Sequence, residues 1–390
     1  MSWVTWEPKS TMRILSCFMA LGLADRGLRR NPGRPQPTVK SWAKRRLAPS
    51  CSLLRNSPER RTGDDPADER PSRARSEPAM PLSPAVATPC PDAGADADAR
   101  RRALFRESPA QRLQRIALGT AWSLKGPRAK GLPGLARLWA RDLLGRPAGL
   151  PDPDRTVNPF GVCGIVDDAS PATLTAAYGR GLFPFAHVGP LKWISPTERC
   201  ILLLDELHIA KRLRRQMRQG RYSVTFDRDF EGVITACAGR RAGRWHLTWI
   251  TPRIMRLYAE AFDAGHVHSF EVWNEAGELV GGGYGVAAGG AFFTESQFSH
   301  EPNTSKIGFT VLHWHLAQWG FLLDDGKWPT PTILDMGFRT VPRSEFRALL
   351  ADAAARPGKP GRWSVETDLA TVAAWQPGGT AKAEKDKDAE

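Results

Sequence analysis

The spacing of apolar positions changes repeatedly along the chain, and from about residue 158 onward the changes mark alternating element types. Ser170-Pro171 supplies an N-cap and a first-turn proline for a helix running to about Arg180, and Gly181 ends it. The apolar run 200–204 (CILLL) suits a buried strand, and a basic helix follows over 207–219, then a strand over 222–226 and a helix over 229–238. Thr251-Pro252 opens another helix closed by Gly265. Residues 267–273 and 278–286 predict a hairpin around the turn 274–277, with a third strand over 291–298. A long helix over 305–319 stops at Gly320, a strand follows over 321–324, and a last helix over 343–354. Strands interleaved with helices predict a mixed α/β (α+β) layer fold.

The flanks read differently. Residues 25–100 are dense in Arg, Pro, Ser, Asp and Ala, and too poor in large apolar side chains to offset the entropy of ordering, which predicts a disordered extension. Leu104, Leu113, Ile116 and Leu118, then Leu135, Leu138 and Trp139, predict two amphipathic helices separated by Lys125-Gly126-Pro127. They can pack on the main domain or lie on an anionic surface through their arginines. Residues 14–24 resemble the core of a signal peptide, but the run is too short to span a bilayer and its cleavage signal is weak. A start at Met80 is an alternative to export. After Arg356 the chain turns Pro/Gly-rich and then charged, which predicts fraying. The expected organisation is therefore an extension over 1–102, a helical lead-in over 103–155, a small domain over 156–250, a larger domain over 251–356 and a flexible tail over 357–390.

Charge narrows the class of partner. Lys and Arg number 55 against 41 Asp and Glu, a formal net charge of +14, which favours a polyanion even though many arginines precede Arg115. The six cysteines form no CxxC pair and no zinc-ligand spacing with histidine, so a reduced cytosolic chain without metal is expected.

Four segments can carry chemistry. Residues 281–285 (GGGYG) place glycines inside a strand, where a ligand or another backbone can approach; strand sequence on both sides argues against a dinucleotide loop. Glu295, flanked by Phe292, Phe293 and Phe298, is a carboxylate among aromatics that needs a partner, and can hold an ammonium group, act as a base or pair with an arginine. Asp324-Asp325-Gly326-Lys327 sets adjacent carboxylates beside a lysine, which can tune one another or form a surface turn. Lys211, Arg212, Arg214, Arg215 and Arg218 on the basic helix suit a phosphate backbone or a solvated face, and Lys306 can add a contact at the start of the long helix.

Read in order, these segments resemble the leucyl/phenylalanyl-tRNA–protein transferase family over about residues 158–350. The motifs are 168–174 (DASPATL) and 177–184 (AYGRGLFP), similar to the family's DLSPxxLxxAYRRGIFPW; Trp193 with Ser195-Pro196; 205–208 (DELH); 248–251 (TWIT); 268–273 (HSFEVW); 281–286 (GGGYGV); Glu295-Ser296 with Phe298-Ser299; 303–306 (NTSK); and Val341-Pro342-Arg343. The resemblance implies a small N-terminal domain and an acetyltransferase-like C-terminal domain. It implies transfer of Leu or Phe from aminoacyl-tRNA to the N-terminal Arg or Lys of a protein, marking that protein for degradation in the cytoplasm, with no cofactor, metal or membrane. By the same resemblance Trp249 stacks on the adenosine, and Phe185, where the family has Trp, keeps an aromatic face beside Trp193. Glu295 holds the reacting groups and Asp325 takes part in proton transfer.

The departures from the family pattern are specific. Lys327 and Gly326 stand where the family has the Gln and Cys of DCQ, so Lys327 either lowers the basicity of Asp325 or donates to the leaving oxygen. Gly283, beside Tyr284, replaces a large apolar residue of GG(L/M)YG, and Thr294 and Gln297 replace the Gly and Met of GESMF. These changes imply a larger or more polar amino-acid pocket and leave open another amino acid or acceptor on the same scaffold, or a tRNA-binding protein without transfer.

Overall fold

The computed structural model describes residues 92–124, 126–145, 149–158, 160–187, 189–240 and 247–378. The signal-like run, most of the predicted disordered extension, Met80 and the last charged residues lie outside the described residues. Within the predicted extension, Asp92–Leu104 is instead a helix, α1. Its reason is tertiary: Arg101 bonds Glu231 at 2.9 Å and Asp263 at 2.5 Å, and Phe105 just beyond it is fully buried. Helices α2 (Pro109–Leu124) and α3 (Leu132–Leu144) follow as predicted from the amphipathic pattern. Leu138 packs into the core, whereas Leu113, Leu124, Trp139 and Leu144 stay exposed.

Two sheets follow. The small one has order β1-β3-β2, from Val162–Ile165, Lys192–Ile194 and Phe183–Phe185, with helix α4 (Pro171–Gly179) between β1 and β2 in the chain. As expected, Ser170 caps α4, its hydroxyl accepting the Thr173 N–H, with Pro171 in the first turn.

The large sheet has seven strands in the order β10-β4-β9-β8-β7-β6-β5. Strand β4 is Glu198–Leu203; α5 (Lys211–Met217), β5 (Tyr222–Phe226), α6 (Phe230–Ala238) and α7 (Pro252–Asp263) come next. Then come β6 (Val267–Asn274), β7 (Leu279–Ala288), β8 (Ala291–Ser299), α8 (Thr304–Gln318) and β9 (Leu323–Asp325). The short helix α9 (Pro331–Leu334), β10 (Arg339–Pro342), α10 (Arg343–Ala354) and α11 (Leu369–Ala374) are the last elements among the described residues. Every neighbouring pair is antiparallel except β8 and β9, which run parallel because α8 crosses between them.

One face of the sheet packs against α4, α6, α7 and α10, the other against α5, α8 and α11, giving two apolar cores. This is the mixed α/β fold the sequence predicts. The expected domain boundary at residue 250 is displaced, however: β4 and β5 lie before it and hydrogen-bond into the same sheet as β6–β10. Residues 357–378, expected to be a flexible tail, instead dock on the second core. Trp363 stacks on His268 with ring centroids 3.6 Å apart, and Val372 and Ala373 are buried. The Pro/Gly content there shapes turns between anchors. Among the described residues no helix is long and apolar enough to cross a membrane.

Candidate active site

Strand β8 carries an irregularity that places the central carboxylate. Tyr284 pairs with Ser296 but Gly285 pairs with Thr294, so Glu295 has no partner on β7 and forms a bulge. The bulge turns the Glu295 side chain toward α4 and α7, where the Tyr178 hydroxyl donates to Oε1, and the hydroxyls of Tyr178 and Tyr258 lie 2.7 Å apart. Burial, and next the charge of Glu295, push the phenols of Tyr178, Tyr258 and Tyr284 well above their ordinary range, so all three remain protonated. The Tyr284 hydroxyl, buried behind Tyr258, has no hydrogen-bond partner among the described residues.

The second carboxylate is held differently. Adjacent residues of a strand face opposite ways, and β9 sends Asp324 and Asp325 to opposite cores. Asp324 accepts from the Thr294 hydroxyl at 2.7 Å and sits 3.0 Å from His313 of α8. Asp325 meets Arg199 of β4: Nε lies 3.2 Å from Oδ1 and the guanidinium's Nη2 bonds Oδ2, with both side chains fully buried. The two acids therefore do not tune one another. Both oxygens of Asp325 are engaged, by Arg199 and by the Lys327 N–H, so Asp325 anchors the turn.

That turn carries Lys327. Its N–H donates to Asp325 Oδ1 at 2.8 Å, its φ is 61°, and its ammonium lies 2.7 Å from Glu295 Oε1 and donates to the Thr294 carbonyl at 2.7 Å. Glu295, Lys327 and Asp325 thus meet in one cluster, with Lys327 bridging the acids.

The aromatic residues extend from it. Trp249 stacks on Phe185 (5.8 Å, 27°) and meets Tyr258 edge-on at 6.3 Å. Trp328, which the sequence reading did not single out, touches Phe183 and Phe185 and stacks on Phe160 at 5.3 Å. Arg199, Tyr178 and Tyr258 were missed as well; Tyr178 lies in the AYGRG motif, but nothing in sequence spacing ties Arg199 to Asp325. Trp193 is 2 % exposed in β3 and packs in the core, so it presents no surface to a ligand.

Of the glycine-rich strand only Tyr284 reaches toward this cluster, its ring 5.3 Å from that of Tyr258; Gly281 and Gly283 open no space to it. A side chain at Gly281 would strike Thr304 of α8, and one at Gly283 would strike the Phe270 ring and Gln297. Gly283 and Gln297 oppose each other across β7 and β8, on the sheet face of Phe270. The glycines make room for the protein's own packing, and the expected enlarged pocket at Gly283 is filled.

On the basic helix, Lys211, Arg212, Arg215 and Arg218 are exposed. Arg214 is not free for a ligand: it donates to the carbonyls of Ala373 at 2.8 Å and Trp375 at 2.5 Å. Arg212, Arg215 and Arg221 line a cavity of about 310 Å³ that reaches Pro302 and Asn303 at the start of α8, where Lys306 occupies the first turn, half-buried.

Comparison with known proteins gives this arrangement a family. Residues 167–197 match the model of the leucyl/phenylalanyl-tRNA protein transferase N-terminal domain, and residues 201–351 match that of leucyl/phenylalanyl-tRNA protein transferase. A leucyl/phenylalanyl-tRNA–protein transferase of Alkalilimnicola ehrlichii is 43 % identical over 216 residues, 55 % of this chain and 83 % of that protein. The corresponding protein of Anaeromyxobacter sp. is 41 % identical over 224 residues, 57 % of this chain and 94 % of that one. This chain belongs to that family of transferase enzymes. Among solved structures, L-PGS from Bacillus licheniformis is similar over 39 % of this chain and 48 % of that one, at 14 % identity and a TM-score of 0.25. The division between the two transferase family models, at residues 197 and 201, falls where the small sheet gives way to β4. Helices α1–α3 lie outside both matches.

Proposed function

We propose that this transferase moves an aminoacyl group, Leu or Phe as in the family's name, from aminoacyl-tRNA to the N-terminal Arg or Lys of a protein in the cytoplasm, as a degradation mark. The observation that carries the reading is the path from an aromatic face to a buried acid: Trp249 and Phe185 stack, and Tyr258 and Tyr178 connect them to Glu295. A stacked pair of that kind suits the terminal adenosine. The acceptor nitrogen forms a bond to the ester carbonyl carbon, the bond from that carbon to the ribose oxygen breaks, and one proton passes from nitrogen to the departing oxygen. An ester and an amine become an amide and an alcohol. Glu295 and the protonated tyrosines orient the reacting groups, Asp325 with Arg199 positions the turn, and Arg212, Arg215, Arg218 and Lys211 with Lys306 meet the tRNA backbone.

A transfer assay over all charged tRNAs and peptides differing in their first residue tests this. Trp249→Ala is expected to raise the KM for charged tRNA about tenfold, the loss of one base stack. Glu295→Gln is expected to lower transfer by about 100-fold. Unchanged rates in both, or no transfer by the unaltered protein, would reject the reading. The Lys327–Glu295 pair also favours a second reading, an acyl donor other than Leu or Phe on the same scaffold.

A further inference from the structure

Helix α2 reaches the candidate donor site although it lies outside both family matches. Its Trp122 meets His187 edge-on at 5.0 Å and Phe160 at 6.2 Å, and both of those rings in turn touch Phe185 of the stacked pair. Arg115, earlier on the same face of the helix, donates to the His187 carbonyl at 3.0 Å and is held there by both oxygens of Glu107, at 2.7 and 2.9 Å. Between α2, the turn after β2 and the start of α7 lies a cavity of about 140 Å³, whose walls include Arg115, Ala186, His187, Gly189, Thr251 and Arg253. That is the liquid volume of about five waters, room for a phosphate group. Ala186 and His187 directly follow Phe185, and Thr251 stands two residues after Trp249. At roughly 3.5 Å per residue the cavity therefore opens within about 4–7 Å of chain from both stacked rings. Glu107 neutralises Arg115, whereas Arg253 is exposed and forms no ion pair among the described residues.

We propose that this cavity takes the phosphodiester joining the terminal adenosine of the charged tRNA to the nucleotide before it. Arg253 pairs with the phosphate, and Arg115 and Trp122 are positioning residues that hold the wall formed by His187. The inference rests on the transferase reading and deepens its donor site. An adenine seated against Trp249 and Phe185 carries its 5′ phosphate one sugar away, and the cavity adjoins both rings on that scale. A guanidinium recognises a phosphodiester through charge-assisted hydrogen bonds, and the cavity walls limit screening by salt. A phosphate is present whatever the sequence, so the contact fixes where the ester lies and leaves the choice of tRNA to other contacts. Helix α2 thereby adds to donor binding from outside the matched region.

Two non-hydrolysable probes isolate the phosphate: adenosine carrying phenylalanine through an amide at its 3′ position, and the same compound with a methyl phosphodiester at its 5′ position. Calorimetry on the full chain is expected to show the phosphodiester probe binding about tenfold tighter, an advantage that shrinks as salt rises. Arg253→Gln is expected to bring the ratio of the two affinities near one, and Arg253→Lys to keep part of it. Trp122→Ala is expected to lower the ratio and Trp122→Phe to restore it, with the melting temperature of each variant read alongside. Equal binding of the two probes by the unaltered protein, a ratio unmoved by Arg253→Gln or by Trp122→Ala, or no binding of either probe would each overturn the proposal. Failure of the transferase reading shows separately, as absence of transfer from every charged tRNA while the probe ratio still responds to Arg253.

Discussion

Arg199 shows what a single buried charge does in this protein. It is fully buried, pairs with Asp325, donates to the Gly181 carbonyl at 2.7 Å and lies over the Phe346 ring at 4.3 Å. Replacing a buried pair by apolar groups can be nearly neutral, but removing one member strands the other. Arg199→Met is expected to lower stability by about 3–5 kcal/mol in urea unfolding, while Arg199→Met/Asp325→Leu recovers a large part of it. Arg199→Lys is expected to rescue little, because an ammonium cannot span both carboxylate oxygens and the glycine carbonyl. The same residue links the small sheet, through Gly181 at the end of α4, to the turn that delivers Lys327.

At the level of elements, Glu271 of β6 ties down the connection between β5 and α6. It accepts from the hydroxyls of Thr225 and Ser269, both at 2.6 Å, and from the N–H groups of Arg228 and Asp229, both at 3.4 Å. Those donors favour the anion, yet burial outweighs them and pushes the carboxyl up to about 7. A folded-state value above the unfolded one means that stability is full below the ordinary glutamate range and is lost as pH rises through about 7. Unfolding free energy should therefore fall by something on the order of 2–3 kcal/mol between pH 4.5 and 8 from this group, and Glu271→Gln should flatten the fall. Helix α5 divides its arginines between two tasks. Arg212→Ala/Arg215→Ala is expected to reduce the salt dependence of tRNA binding by about 1.4–1.8 in log–log slope without changing the melting temperature. Arg214→Ala should instead lower the melting temperature, since its partners are carbonyls of the C-terminal segment.

For the whole molecule, the segment after α10 completes the second core. Trp363 contacts His268, Phe292, Trp319 and Phe321, and its backbone N–H donates to Asp227 at 2.8 Å. Trp363→Ala is expected to cost about 3–5 kcal/mol, read by urea or thermal unfolding, and ending the chain at residue 356 should cost at least as much. A truncation that left stability unchanged would mean that the face covered by this segment needs no cover. At the other end, α1 is held by ion pairs to α6 and α7, so its order depends on a surface that the residues of α1 do not themselves encode.

The order of elements from residue 158 onward was legible in the sequence because it rests on local physics. Ser170-Pro171 and Thr251-Pro252 cap their helices as written, and 343–354 is a helix within those bounds, since capping and periodicity act over a few residues. The cluster of Glu295, Asp325 and Lys327 was legible too, through motif order. What each does there was not. The strand alternation that parts Asp324 from Asp325 is local, but the strand pairing that makes the bulge at Glu295, the Phe270 ring that fills the space at Gly283 and above all the arginine that saturates Asp325, 126 residues away, come from other elements. Sequence fixes which side chains exist and where helices begin; only packing decides which distant partner reaches a buried charge first, and that partner sets its chemistry.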